Sequence, residues 1–97
     1  MSDEYAIHLN GAPVIAGLAS RLEECGLTLV SMGEGECALA QQGASVESSR
    51  RWGHAVEIRV RDGVMALVIN GLSPRLVVPL VMDELGRQGV IAKLEEP

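Results

Sequence analysis

The sequence predicts a two-layer α+β sandwich, with two helices on one face of a mostly antiparallel sheet. Three observations lead to this prediction. An apolar helical repeat that ends in glycine passes directly into a strand-like segment over 13–32, two alternating segments flank an Asp-Gly pair over 54–70, and a second helical repeat begins near residue 74. Strands separated by helices favour right-handed crossovers, so both helices are expected on the same face.

The first helical repeat is the most completely specified part of the chain. Pro13 suits the first helical position, where its missing N–H is not needed, and apolar residues then recur at helical spacing as far as Cys25. Gly26 suits the left-handed residue that ends a helix, and Leu27–Met32 follows as an apolar strand. Because Cys25 lies on the apolar stripe, we expect it to be a small buried hydrophobe.

Shorter segments surround this unit. Tyr5–Leu9 alternates as a strand with its odd-numbered residues on one face, and residues 10–13 form a turn into the helix. Gly33–Glu36 is predicted to be a turn or bulge, after which Cys37–Gln41 could form a return strand. Residues 42–53 are polar and aperiodic, which predicts a surface loop.

The clearest hairpin spans residues 54–70. Asp62-Gly63 is the pair that a two-residue type I′ turn prefers. Pairing across it sets three apolar pairs on the core face, namely Val60 with Met65, Ile58 with Leu67 and Val56 with Ile69. The other face carries Glu57, Arg59, Arg61, Val64, Ala66 and Val68. Such a half-charged, half-apolar face suits a surface that a second copy of the sheet could cover.

The last part of the chain predicts a second helix and a final strand. Ser73 suits the N-cap of a helix that begins at Pro74, and the apolar residues that follow occupy more than one helical face. Pro79 predicts either a kink or a later start of the regular helix. Gly89 ends the helix, and Val90–Leu94 is a short strand.

One domain accounts for residues 1–97. The chain is 47% apolar with one Trp, one Tyr and no Phe, so the core is expected to consist of aliphatic side chains. A chain of this size buries roughly 60–65% of its unfolded surface, which suffices for one core. The predicted order is β-α-β-(β)-β-β-α-β, a ferredoxin-like sandwich with an elaborated middle.

The charge balance argues against two classes of partner. Thirteen Asp and Glu against eight Lys and Arg give a net charge of −5, whereas nucleic acids and anionic membranes require a basic surface. No charged-then-apolar leader opens the chain, and no apolar run reaches the ~18 residues that span a bilayer. We therefore expect no nucleic-acid partner, no membrane association and a cytoplasmic location.

Neither a metal site nor a catalytic site is predicted. Zinc needs three or four ligands, and Cys25, Cys37, His8 and His54 show no recognisable ligand spacing. The sequence contains no nucleophile or metalloprotease motif, and adjacent acidic residues on a helix diverge by about 100°. We expect no cofactor and no enzymatic activity.

The predicted loop carries the only Trp and the only adjacent arginines, as Arg50, Arg51 and Trp52. An arginine pair beside an aromatic ring could bind a carboxylate, a phosphate or an acidic protein partner. Alternatively, Trp52 caps the edge of the core while both arginines remain solvated. The sequence leaves both interpretations open.

The opening third of the chain resembles the first half of an ACT domain, the small regulatory module of amino-acid metabolism. The elements that carry the resemblance are, in order, Ile7–Leu9, Asn10–Pro13, Val14–Cys25, Gly26 and Leu27–Met32. They match the strand, the turn with proline, the apolar helix, the glycine stop and the following strand of that family.

The resemblance implies a dimer that binds an amino-acid-like ligand near the first strand–helix turn. Asn10 and Pro13 are the turn residues, and Ser31 the strand residue, that match the family's ligand-side positions. Val14 stands where the family usually has glycine after the proline.

Taken together, these features predict a non-catalytic binding or regulatory protein, homodimeric and ACT-like. The alternative is a small inhibitor or adaptor that acts by binding a protein partner, as immunity proteins and phage-encoded blockers of host defence do. Arg50, Arg51 and Trp52 are the candidate protein-binding residues in that case.

Overall fold

The computed structural model describes residues 2–41 and 54–95. Its elements are β1 (Ser2–Asn10), α1 (Ile15–Glu24), β2 (Leu27–Gly33), β3 (Glu36–Gln41), β4 (Val56–Arg61), β5 (Val64–Asn70), α2 (Pro74–Arg87) and β6 (Ile91–Glu95). This confirms the predicted α+β class and the order of elements, including the return strand β3. The first strand is longer than predicted, since it begins at Ser2. The predicted loop at 42–53 lies outside the described residues.

All six strands form one sheet in the order β2-β3-β4-β5-β1-β6, and every neighbouring pair is antiparallel. This order differs from that of a four-stranded ferredoxin-like sheet, because β3 and β4 lie between β5 and β2. The strands before and after α1 are therefore separated by three others. The strands before and after α2 are separated only by β1.

The central hairpin has the predicted register. Val60 pairs with Met65, Ile58 with Leu67 and Val56 with Ile69. At the turn, Asp62 has φ 53 and Gly63 has φ 75, so both central residues take the left-handed conformation that a type I′ turn requires. The alternation in sequence was therefore sufficient to fix which side chains of the hairpin point to the core.

Helix α1 begins later than predicted. Val14 is its N-cap with φ −89 and ψ 107, so Pro13 precedes the cap instead of occupying the first helical position. At this cap the backbone N–H of Val14 donates to Oε1 of Gln88 at 2.7 Å, a tertiary contact that satisfies a group without a partner in the helix. Gly26 has φ 102, which confirms the predicted glycine stop.

Helix α2 has Pro74 at its start, as predicted, although Ser73 makes no side-chain capping hydrogen bond. The helix is continuous through Pro79, so the later start that this proline allowed is not needed. Gly89 has φ 76 and follows the end of the helix, as predicted. The final strand is shifted by one residue from its predicted position.

The two helices cover one side of the sheet, which we call the covered face. The largest side chains that are almost completely buried are Ile7, Leu18, Leu22, Leu39, Val56, Ile58, Met65, Leu67, Ile69, Val77, Val81 and Leu85. Both helices contribute to this one cluster. They are also joined to each other by Arg21, whose Nη2 donates to Oδ2 of Asp83 at 2.7 Å.

The burial of the two cysteines differs from the prediction. Cys25 is exposed, because it is the C-cap of α1 and lies beyond the last buried turn of the helix. Cys37, on β3, is buried and belongs to the covered-face cluster. The expectation that Cys25 is a buried hydrophobe was therefore wrong.

Candidate functional site

The open face is the side of the sheet opposite the helices. Because residues that face each other on antiparallel strands point to the same side, the register defines three rows across it. The first row, which we call the basic row, contains Arg61, Val64, His8 and Lys93. The middle row contains Arg59, Ala66, Ala6 and Glu95, and the third, which we call the acidic row, contains Glu57, Val68 and Glu4. On each strand, neighbouring rows are two residues apart.

Small apolar side chains occupy the centre of the open face, where β5 and β1 lie side by side. These residues are Val64, Ala66, Val68 and Ala6, and they are partly or fully exposed. On β3, Ala38 and Ala40 point to the same side but are only 6% and 3% exposed. The accessible apolar area is therefore centred on β5 and β1 and not on β3.

Three cavities in the described part of the chain lie on the open face. One of about 420 Å³ passes over Ala6 and Val68, and one of about 640 Å³ lies beside Arg61 and Val64. The third, of about 70 Å³, is polar and includes Ser31. The first two depressions follow from the small central side chains, since larger charged residues stand beside them.

Two close contacts between polar or charged side chains flank the apolar centre. Nε2 of His8 lies 2.6 Å from Oε2 of Glu95, and Nε of Arg59 lies 3.7 Å from Oε2 of Glu36. All four side chains are at least half exposed. Exposed pairs of this kind add little to stability, so their main effect is to place polar groups at the surface of the open face.

The thiol of Cys37 lies on the covered face and is 3% exposed. Burial raises its pKa from 9.0 to about 11. A thiol with a pKa that high is protonated at neutral pH and is a poor nucleophile. Cys37 is therefore a packing residue.

The turn between β1 and α1, where the ACT resemblance places a ligand, is occupied by a side chain of this chain. Gln88 accepts the N–H of Val14 at 2.7 Å and donates from Nε2 to the carbonyl oxygen of Val14 at 3.0 Å. The same Nε2 lies 2.9 Å from Oε2 of Glu84. The backbone groups that a ligand would need at Val14 are therefore already hydrogen-bonded.

The three predicted ligand-binding residues do not form one site within a single chain. Asn10 is at the exposed end of β1, and Pro13 is half-buried in the turn that follows. Ser31 is on β2, four strand positions from β1, or about 19 Å at ~4.8 Å per strand. A ligand that contacts all three would need a second chain. The predicted protein-binding residues, Arg50–Trp52, lie outside the described residues.

Sequence reasoning found the β4–β5 half of the open face and missed the rest of it. Ala6, His8, Lys93 and Glu95 join the same face only because β1 lies between β5 and β6. The alternation of β1 was visible in the sequence, but its neighbours in the sheet were not. Gln88 was missed entirely, since nothing in its local sequence links it to Val14.

No match is found for the chain among protein-family models, curated proteins or solved structures. Neither helix in the described part is long and apolar enough to cross a membrane. Among residues 2–41 and 54–95, no three His, Cys, Asp or Glu side chains are grouped so that they could hold a metal ion. The open face is therefore the candidate site that the geometry itself provides.

Proposed function

We propose that the chain is a non-catalytic binding module that associates with a second copy of itself through its open face. The observation that carries this proposal is the composition of that face. An accessible strip of Ala and Val lies at its centre, and residues of both charge signs surround it. An apolar centre with a polar rim is the usual anatomy of a protein interface.

The fold supports a sheet-to-sheet association. The helices already cover one face, so the opposite face is the large surface of the sheet that remains open in the described residues. Two sheets pack with their inner faces about 10 Å apart, and alanine and valine at the centre of the open face allow that approach. Permanent interfaces are more hydrophobic than transient ones, so the charged residues around the apolar centre favour a reversible dimer.

We further propose that the architecture derives from the ferredoxin-like sandwich. If β3 and β4 are treated as an inserted pair, the remaining elements run β-α-β-β-α-β. The sheet order that remains is β2-β5-β1-β6, in which each βαβ unit is split by one strand. Insertion of an antiparallel pair leaves the direction of every other strand unchanged.

The proposal is tested by placing a charge in the centre of the open face. Ala66→Arg puts a long cation on the apolar strip, and Ala16→Arg makes the same change at an exposed position of α1. In sedimentation velocity over a range of concentrations, we expect the parent protein and Ala16→Arg to show a reversible dimer and Ala66→Arg to be monomeric. Circular dichroism would check that both variants fold.

Two outcomes would contradict the proposal. The first is a parent protein that remains monomeric up to millimolar concentration. The second is equal association of the Ala66→Arg and Ala16→Arg variants. In the second case the self-association surface would lie elsewhere.

The small-ligand function that the ACT resemblance implies is a weaker proposal, because Gln88 occupies the backbone of Val14. Its test is a thermal-shift titration with each of the standard amino acids. Stabilisation by one of them would favour that function, and no stabilisation by any would count against it. The inhibitor or adaptor function stays a prediction, and a protein partner that competes with self-association at the open face would support it.

A further inference from the structure

The three rows of the open face separate its charges along the strand direction. Arg61 and Lys93 stand in the basic row, whereas Glu57 and Glu4 stand in the acidic row. The two rows are four residues apart along each strand, or about 14 Å at ~3.4 Å per residue. The face therefore has a basic end and an acidic end with the alanine centre between them.

We propose that two copies pack face to face about a two-fold axis that runs across the strands along the middle row. This inference rests on the proposed function and adds the register of the interface. Such an axis keeps each strand opposite its own copy and reverses its direction. The basic row of each copy then lies on the acidic row of the other, and Arg61 meets Glu57 of the second copy.

Two further contacts of this arrangement are also favourable. Val64 lies opposite Val68 of the second copy, which joins the two apolar strips. His8 lies opposite Glu4 of the second copy, so a hydrogen-bonding ring meets a carboxylate. Each contact occurs twice, because the interface between identical copies about a two-fold axis is isologous.

The alternative axis, parallel to the strands between β5 and β1, gives poorer contacts. It would exchange β4 with β6, which places Arg61 on Lys93 of the second copy but Arg59 on Glu95. It would also place Val68 on Glu4 and Val64 on His8, so the valines of the two copies would not meet. Both axes combine opposite and like charges, and the matching of the apolar strips favours the axis across the strands.

The middle row faces itself in the proposed dimer, so its charged residues approach their own copies. Each of them has a partner in its own chain that offsets its charge or hydrogen-bonds to it. Arg59 lies 3.7 Å from Glu36, and Glu95 lies 2.6 Å from His8. Between these pairs, Ala6 and Ala66 lie opposite their own copies, and their small side chains leave room for neighbouring side chains of two aligned sheets that cross at about 30°.

A charge-reversal experiment tests this register. Arg61→Glu would face Glu57 of the second copy, and Glu57→Arg would face Arg61, so each single variant is expected to weaken dimerisation about tenfold or more. The double variant restores an opposite pair and is expected to dimerise within about threefold of the parent. Arg75→Glu, an equal change of charge at an exposed position of α2, is the control and should leave dimerisation unchanged.

A mixture of the two single variants gives a second measurement that does not depend on the double variant folding. In a heterodimer of the two variants, residue 61 of each chain again faces a residue 57 of opposite charge on the other chain. Sedimentation should therefore detect a heterodimer in the mixture at concentrations where each variant alone is monomeric, with circular dichroism confirming that each is folded.

The results show whether the register alone fails or whether the proposed self-association fails as well. If Ala66→Arg abolishes the dimer but reversal at 61 and 57 has no effect and the mixture gains nothing, the register is wrong and the open face remains the interface. If the parent protein is monomeric throughout, both are overturned. Recovery in the mixture or in the double variant supports the axis across the strands.

Discussion

Strand β5 contributes to both faces of the sheet, and its two sets of side chains differ in size and burial. Its covered-face residues are Met65, Leu67 and Ile69, all 0% exposed. Its open-face residues are Val64, Ala66 and Val68, which are partly or fully exposed. The same backbone therefore presents a packed core on one side and a shallow apolar strip on the other.

The difference bears on the proposed association. A face that had to form a core would need larger side chains at its centre than alanine. Small apolar residues between opposite charges fit a surface that is covered part of the time. On this interpretation, the covered face provides stability and the open face provides association.

The strongest test of this comparison uses two neighbouring residues that point to opposite faces. Leu67→Ala should lower the free energy of unfolding by about 2–5 kcal/mol, because it leaves a cavity in the core. Val68→Ala should cost less than about 1 kcal/mol in the monomer. Urea unfolding at low protein concentration measures both. Equal losses would show that the open face is as much a part of the core as the covered one.

The buried thiol gives the next largest expected effect, and it depends on pH. The folded state holds the pKa of Cys37 at about 11, against 9.0 when unfolded, so between these values the unfolded chain binds fewer protons. Stability should therefore fall as pH rises through this range, by about 1 kcal/mol at pH 10. Cys37→Ala should remove this part of the pH dependence.

Two steps check the assignment of that effect to Cys37. A thiol reagent at pH 8 should modify Cys25 at once and Cys37 only after unfolding. If both cysteines react at the same rate in the folded protein, or if Cys37→Ala leaves the alkaline loss of stability unchanged, Cys37 is not protected by the covered face.

The smallest expected effect concerns the side chain that joins the ends of the two covering helices. Gln88→Ala removes two hydrogen bonds to the backbone of Val14 and should cost about 1 kcal/mol. Gln41→Ala is the matched control, since within residues 2–41 and 54–95 the side chain of Gln41 makes one longer contact, 3.4 Å to the carbonyl oxygen of Gly71, and it should change stability by less than about half as much. Thermal unfolding measures the stability of both variants. Equal losses would show that the hydrogen bonds between Gln88 and Val14 do not stabilise the fold measurably.

The parts of the fold that local chemistry determines were predictable. The Asp62-Gly63 turn and the period-two alternation around it specified the hairpin register, and Gly26 and Gly89 marked the ends of both helices. The position of β1 between β5 and β6 was not predictable, because strand partners are chosen by packing across the whole sheet. The contact at the start of α1 was not predictable either, because the glutamine that is hydrogen-bonded to Val14 lies 74 residues away.

The open face also has a part that was predictable from the sequence and a part that was not. Half of the open face followed from the hairpin, and the half on β1 and β6 required the sheet order. The ACT resemblance rested on local elements that occur in order, and local order does not specify that Ser31 lies four strands from Asn10. Residues that are close in a sequence motif need not be close in a sheet.

The central claim, that two copies meet through their open faces, is tested most directly by a distance between the helical layers. Cys25 is exposed and Cys37 is buried, so a nitroxide reagent should label the native chain at one position on the helical side. Two sheets about 10 Å apart, each covered by a helix about 10–12 Å thick, separate the labels by about 30 Å or more. Pulsed electron–electron double resonance on the dimer should give one such distance. A distance below about 20 Å, or none at concentrations where sedimentation detects association, would contradict the account.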